Sequence, residues 1–156
     1  MDQFTLANPV FATYVIAASI MVLKIMGQGW VTVVRMMSNQ AGFVSPEDAK
    51  AGLVNPKPRP GQLEANDDVE RSRRIHRNDL ENIPAFLAVG LLFVAIAPPL
   101  VAAQWLMYGF VAARLAHTVA YSTAQSHEVR ATFYTIGSLI VIAMAVWVLI
   151  AAAQAL

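Results

Sequence analysis

The sequence predicts an all-α fold: one integral membrane domain over residues 1–156, built as an antiparallel four-helix bundle. Three observations predict it. Hydrophobic residues make up 57% of the chain and charged residues only 13%, against roughly 25% charged in soluble domains. Three long stretches carry no charged residue, Gln3–Leu23, Asn82–Ala113 and Ala131–Leu156, and about 20 apolar residues cross a bilayer as a helix. The second stretch is too long for one crossing and is broken at Ala97-Pro98-Pro99, which reads as a tight turn between two helices.

The first span, about 9–34, reads as a permanent anchor. It is too long for the apolar core of a cleaved leader, and the residues before it offer Asp2 where a leader carries cations. Lys24 lies inside this run, one long side chain from the interface, and snorkelling to water stands beside a site role. Arg35, at the end of the span, suits an interfacial anchor. The connection 36–68 follows. Within it Ser45-Pro46-Glu47-Asp48 reads as a helical turn, with serine as cap, proline first and acids next. The proline run Asn55–Gly61 reads as an extended surface loop. Asp67 or Asp68 then caps the second helix, about 69–97, which Pro84 should kink. The third span covers about 101–121 and the fourth about 131–153. Trp30, Trp105 and Trp147 suit an interfacial belt or packing, and Gly27, Gly29, Gly90, Gly109 and Gly137 suit close helix contact.

Charge sets the orientation. Eight of the eleven Lys and Arg residues lie between Arg35 and Arg77, and Arg130 follows the short connection Ser122–Val129. Four spans put these two connections on one side, cytoplasmic by the positive-inside rule, with both termini opposite. The net charge of +1 offers no basic field for nucleic acid. The chain has no cysteine, and its three histidines lack metal spacing, so neither a cysteine nucleophile nor a metal site is expected.

The chemistry concentrates where charge runs straight into the second span. At about 100° per residue, Arg73, Arg74, Arg77, Asn78 and Glu81 share one side of a helix. Such residues are costly at a membrane's edge and mark a site. They offer guanidinium forks for carboxylates, an amide, and a carboxylate for an amine, which suits a zwitterionic ligand with several carboxylates. On the third span Arg114, His117 and Tyr121 are spaced i, i+3, i+7, within about 60° of one another. On the fourth, Arg130 and Tyr134 are i, i+4; taken alone, they suit an anchor and an aromatic belt. All these residues lie at the charged end of their spans. A site there meets a water-soluble anion from one side and an oily molecule from the other.

The segment Val69–Asn82 resembles the second-helix signature of the membrane-associated proteins in eicosanoid and glutathione metabolism, in particular the branch of microsomal glutathione transferases and microsomal prostaglandin E synthases. The likeness recurs at Phe43–Asp48, at Arg114–Tyr121 and around Arg130, in order and over nearly the whole chain. This resemblance implies a homotrimer of four-helix subunits that binds glutathione as cosubstrate between neighbours, near the cytoplasmic face. By matching position it implies glutathione contacts from Arg77, Asn78, Glu81, His117, Tyr121, Arg130 and Tyr134. Arg74 and Arg114 lie close by, and Arg35 comes from the neighbour's first helix. It also implies that Asp48 lies near the thiol and that Arg130 favours the thiolate. The prostaglandin synthase branch carries serine after the matched arginine, whereas this chain has Ala131, as the transferases do.

The implied activity is therefore conjugation of glutathione to lipophilic electrophiles, with peroxidase action on lipid hydroperoxides, in contact with membrane lipid. A prostaglandin-E-synthase-like isomerase is the alternative. The implied membrane is the inner membrane of a bacterium or the endoplasmic reticulum of a eukaryote. Two other readings stand beside it. A non-catalytic lipid-presenting protein on this scaffold would not need a thiol-activating arginine. A transporter subunit would need polar residues across the whole membrane, and here they keep to one side.

Overall fold

A computed structural model of the chain describes residues 3–156; Asp2, read above as a leader-position acid, lies outside them. The described residues form helices α1 (Pro9–Asn39), α2 (Asp67–Ala95), α3 (Leu100–Ser122) and α4 (His127–Gln154), with no strand. Helices α1, α2 and α4 are long and apolar enough to cross a membrane. Helix α3 is not among them, because Gln104, Arg114 and His117 dilute its apolar residues.

Local chemistry sets the boundaries. Asn8 accepts the Val10 amide at 3.0 Å, and Pro9 opens α1. That helix outruns its apolar stretch and stops at Gln40, whose φ of 48° is left-handed. The cap of α2 is Asn66, not Asp67 or Asp68. Its side-chain oxygen accepts the amides of Asp68 and Val69 at 3.1 and 3.3 Å. Both aspartates fall instead in the first turn, where the helix dipole favours them. Pro84 lies inside an unbroken α2. The α2–α3 turn is four residues, Ile96 to Pro99, with Ala97 at φ 50°. Ser126 accepts the Val129 amide at 3.5 Å and starts α4.

At Ser45 there is one turn and no helix: the Asp48 amide donates to Ser45 O at 3.0 Å and the chain then runs irregularly. The proline loop is not wholly superficial either, since Asn55, its first residue, is buried.

Around the bundle the order is α1, α2, α4, α3, with α2 and α3 also touching across one diagonal. Phe86 and Phe110 stack at 4.2 Å in the core, among Ile83, Phe93, Met107 and Met144. In lipid such packing works by close van der Waals fit. Gly90 is where the fit is tightest. A Cβ there would lie 2.8 Å from the Tyr14 ring, whose hydroxyl donates to Leu87 O at 2.8 Å. Gly109 and Gly137 also face neighbours, whereas Gly27 meets no other helix within the one chain. Trp30 and Trp105 point outward, and Trp147 packs edge-on against Phe93 at 5.3 Å.

Candidate functional site

At one end of the bundle α2, α3 and α4 line an open cavity of about 310 Å³. Asn78 and Glu81 reach it from α2, His117 and Tyr121 from α3, and His127, Arg130, Ala131 and Tyr134 from α4. The helical period explains the set: 78 and 81, 117 and 121, and 127, 130, 131 and 134 each form one stripe. Tyr134 donates its hydroxyl to Glu81 at 3.4 Å. The Arg130 guanidinium stands over the Tyr121 ring, 4.5 Å from its centroid, and its Nε donates to Ser126 O at 3.3 Å. That cation–π contact orients the charge without neutralising it. His117 is buried, with its ring 4.9 Å from Tyr121 and 6.1 Å from Tyr134, and its Nδ1 has no hydrogen-bond partner. The cavity thus joins one carboxylate, one unneutralised guanidinium, an amide, two phenols and two imidazoles.

Arg114 is placed elsewhere. It is completely buried, and its Nη2 donates to Asp79 at 2.7 Å. Lys24 holds the other oxygen of Asp79 at 2.5 Å. Lys24 therefore does not snorkel: it turns inward and pairs. Gly137 lies beside Arg114, and a Cβ there would reach the Arg114 Cδ at 3.5 Å, an ordinary contact. Arg114 remains next to the cavity wall, 6.0 Å from the Tyr134 ring centroid. Spacing alone put Arg114 in the stripe of His117 and Tyr121, but the buried carboxylate of Asp79 claims it.

The basic stripe of α2 is divided as well. Arg77 lines a separate groove of about 390 Å³ between α1 and α2, with Gly29, Thr32, Val33, Arg73, His76 and Leu80. Arg73 is engaged by Glu70 and by Gly42 O, where it holds the connection against α2. Arg74 is exposed, and its carbonyl accepts from Asn78 at 2.8 Å. Arg35 donates to Asp68 O at 3.0 Å. Asp48 is exposed in the connection, and its carbonyl accepts from Asn55 at 3.1 Å. Within one chain, then, Arg35, Arg74, Arg77 and Asp48 do not meet the cavity. Sequence reasoning missed His127, although it precedes Arg130 by one turn, and missed Asp79 as the anion that Lys24 and Arg114 share.

The profile of the MAPEG family matches residues 13–150. Microsomal glutathione S-transferase 1 of Bos taurus is 36% identical over 138 residues, 88% of each chain. The protein of that name from Rattus norvegicus is 35% identical over the same shares. Prostaglandin E synthase of Homo sapiens is 31% identical over 154 residues, 97% of this chain and 96% of its own.

Proposed function

This chain belongs to the MAPEG family, and from that premise we propose that it is a membrane-bound glutathione transferase acting on lipophilic electrophiles. The observation that carries the reading is the cavity in which Glu81 and Arg130 stand apart, each held by a tyrosine. Glutathione has two carboxylates, an ammonium and a thiol. Glu81 suits the ammonium, and guanidinium groups suit the carboxylates through paired hydrogen bonds. A free thiol has a pKa near 8.5, so little thiolate exists at neutral pH, and the thiolate is the nucleophile. A guanidinium at the mouth of a partly dry cavity favours the anion, which is the role of Arg130.

In conjugation the glutathione sulfur forms a bond to an electrophilic carbon. The leaving group departs with its electron pair, and the thiol proton has already passed to water. With a lipid hydroperoxide the sulfur attacks the O–O bond, and the alcohol leaves. A second glutathione then closes the disulfide with loss of water. The nucleophile comes from the cosubstrate, which fits a chain without cysteine.

Assembly belongs to the same reading. Two grooves that carry charged side chains lie on different sides of α2, one with Arg73, His76 and Arg77, the other with Asn78 and Glu81. Facing lipid, each would be costly. Packing subunits around α2 as a homotrimer brings one groove against the other, adds Arg35, Arg74 and Asp48, and completes the contacts to glutathione. Four crossings with the site at the cytoplasmic face follow from the one-sided charge.

An isomerase of the prostaglandin E type is the second reading, and one residue weighs against it: the cavity wall beside Arg130 is the methyl of Ala131, with no hydroxyl to offer. The test is turnover. Purified protein with glutathione and 1-chloro-2,4-dinitrobenzene should form the thioether well above the uncatalysed rate. Folded protein that binds glutathione without turnover would instead support a non-catalytic lipid-binding protein.

A further inference from the structure

A thiol drawn to Arg130 must lose its proton before it attacks. A group that takes this proton needs a free lone pair, reach to the sulfur, and a path on to water. The cavity offers three such acceptors, Glu81, His117 and His127; its phenols, amide and guanidinium are not bases.

Two of the three are poorly placed. Glu81 accepts the Tyr134 hydroxyl at 3.4 Å and is the partner for the glutathione ammonium. His117 is buried, away from bulk water. A proton gained there would add a third cation beside Lys24 and Arg114, which already share the single carboxylate of Asp79.

His127 meets all three needs. It is the first residue of α4, because Ser126 caps that helix by accepting the Val129 amide at 3.5 Å. From there one stripe runs inward along α4: His127, then Arg130 and Ala131, then Tyr134. His127 is exposed, whereas Arg130 and Tyr134 are half-buried, so His127 stands at the mouth. His127 and Arg130 are i, i+3, which puts their Cβ atoms about 5–6 Å apart. Ala131, at i+4, sets only a methyl beside the ring. A thiol held at Arg130 is therefore within reach of the imidazole, directly or through one water. Imidazole is also the side chain that changes charge near physiological pH. The titratable and charged groups around it are Glu128, Arg130 and Tyr134 on α4, His117 and Tyr121 on α3, and Glu81 on α2.

We propose, resting on the glutathione reading, that His127 is the general base of thiol activation. The glutathione S–H bond breaks and its electron pair stays on sulfur as the thiolate beside Arg130. The proton moves to an imidazole nitrogen of His127, which then returns it to water at the mouth. Arg130 sets how much thiolate stands at equilibrium, and His127 sets how fast it appears.

Stopped-flow ultraviolet absorbance tests this by following thiolate formation when purified, assembled protein meets glutathione. His127→Gln keeps a polar side chain of similar size without the basic nitrogen. It should form the thiolate at least about tenfold more slowly, with the final band and the glutathione affinity unchanged. The wild-type rate should rise with pH and level off once His127 has lost its proton. In the variant it should keep rising with hydroxide. Free imidazole in the buffer should restore the variant and leave the wild type unaffected. An unchanged rate and pH profile in His127→Gln would overturn the proposal. So would a slower rate that imidazole does not restore, or a smaller final band, since either makes His127 a structural or binding group. No thiolate band in folded wild type would remove the glutathione reading and this role together, whereas a band with unchanged kinetics in His127→Gln removes this role alone.

Discussion

Glu81 and Arg130 lie in one cavity but suit different groups of glutathione, the ammonium and the thiol, so substituting them should give opposite signatures. Losing a charge-assisted contact typically costs about 1.5–3 kcal/mol. Glu81→Gln should weaken glutathione affinity by about tenfold or more, with a smaller change in the chemical step. Calorimetry and single-turnover kinetics separate the two. Arg130→Ala should leave glutathione bound while turnover collapses. Normal turnover in Arg130→Ala would make that residue an interfacial anchor and move thiol activation to His117 or Tyr121. At this scale the helical period made most of the cavity wall legible: Asn78, Glu81, His117, Tyr121, Arg130 and Tyr134 were expected from spacing and resemblance, and they line it. Arg114 was not legible. Periodicity says which residues share a stripe on one helix, but not that a carboxylate from α2 and an ammonium from α1 will meet a guanidinium from α3.

Helix α2 does two jobs: its outer half packs the core through Phe86 and Phe93, and its charged half faces partners on several sides. Asp79 is the hinge between these roles, since Lys24 and Arg114 share its single carboxylate in the interior. Removing one partner of a buried pair commonly costs about 3–5 kcal/mol. Asp79→Ala, which leaves two buried cations without an anion, should therefore lower the thermal midpoint sharply or abolish folding. Lys24→Met, which keeps the Asp79–Arg114 pair, should be milder, and equal midpoints for Asp79→Ala and wild type would contradict this account. Gly90→Ala should cost about 1–3 kcal/mol, because the Tyr14 ring stands where the methyl must go; a thermal scan in detergent reads it. Helix existence was legible from charge-free runs and the double proline, whereas helix starts were less so. Aspartate and asparagine cap about equally well, so the composition at 66–68 did not single out Asn66.

For the whole molecule, the proposed assembly makes one chain half a site, with the two grooves on α2 as its two halves. Coexpressing Arg77→Ala with Arg130→Ala subunits should restore part of the activity each variant lacks alone, because some interfaces then pair two intact halves. No restoration would place the site within one subunit. The connection 36–68 should be cut by protease from the cytoplasmic face of sealed vesicles only, and cutting from the other face would reverse the orientation. Neither assembly nor orientation is legible in the period of a single helix. The proposal for assembly rests on the exposed Arg74 and Arg77, and the proposal for orientation on the one-sided distribution of Lys and Arg. The central claim is that the assembled cavity holds glutathione as its thiolate, and ultraviolet difference titration of glutathione into purified protein at neutral pH tests it most directly. The account predicts a saturable thiolate band in the wild type that is lost in Arg130→Ala. Folded, assembled protein saturated with glutathione but showing no thiolate band would contradict it.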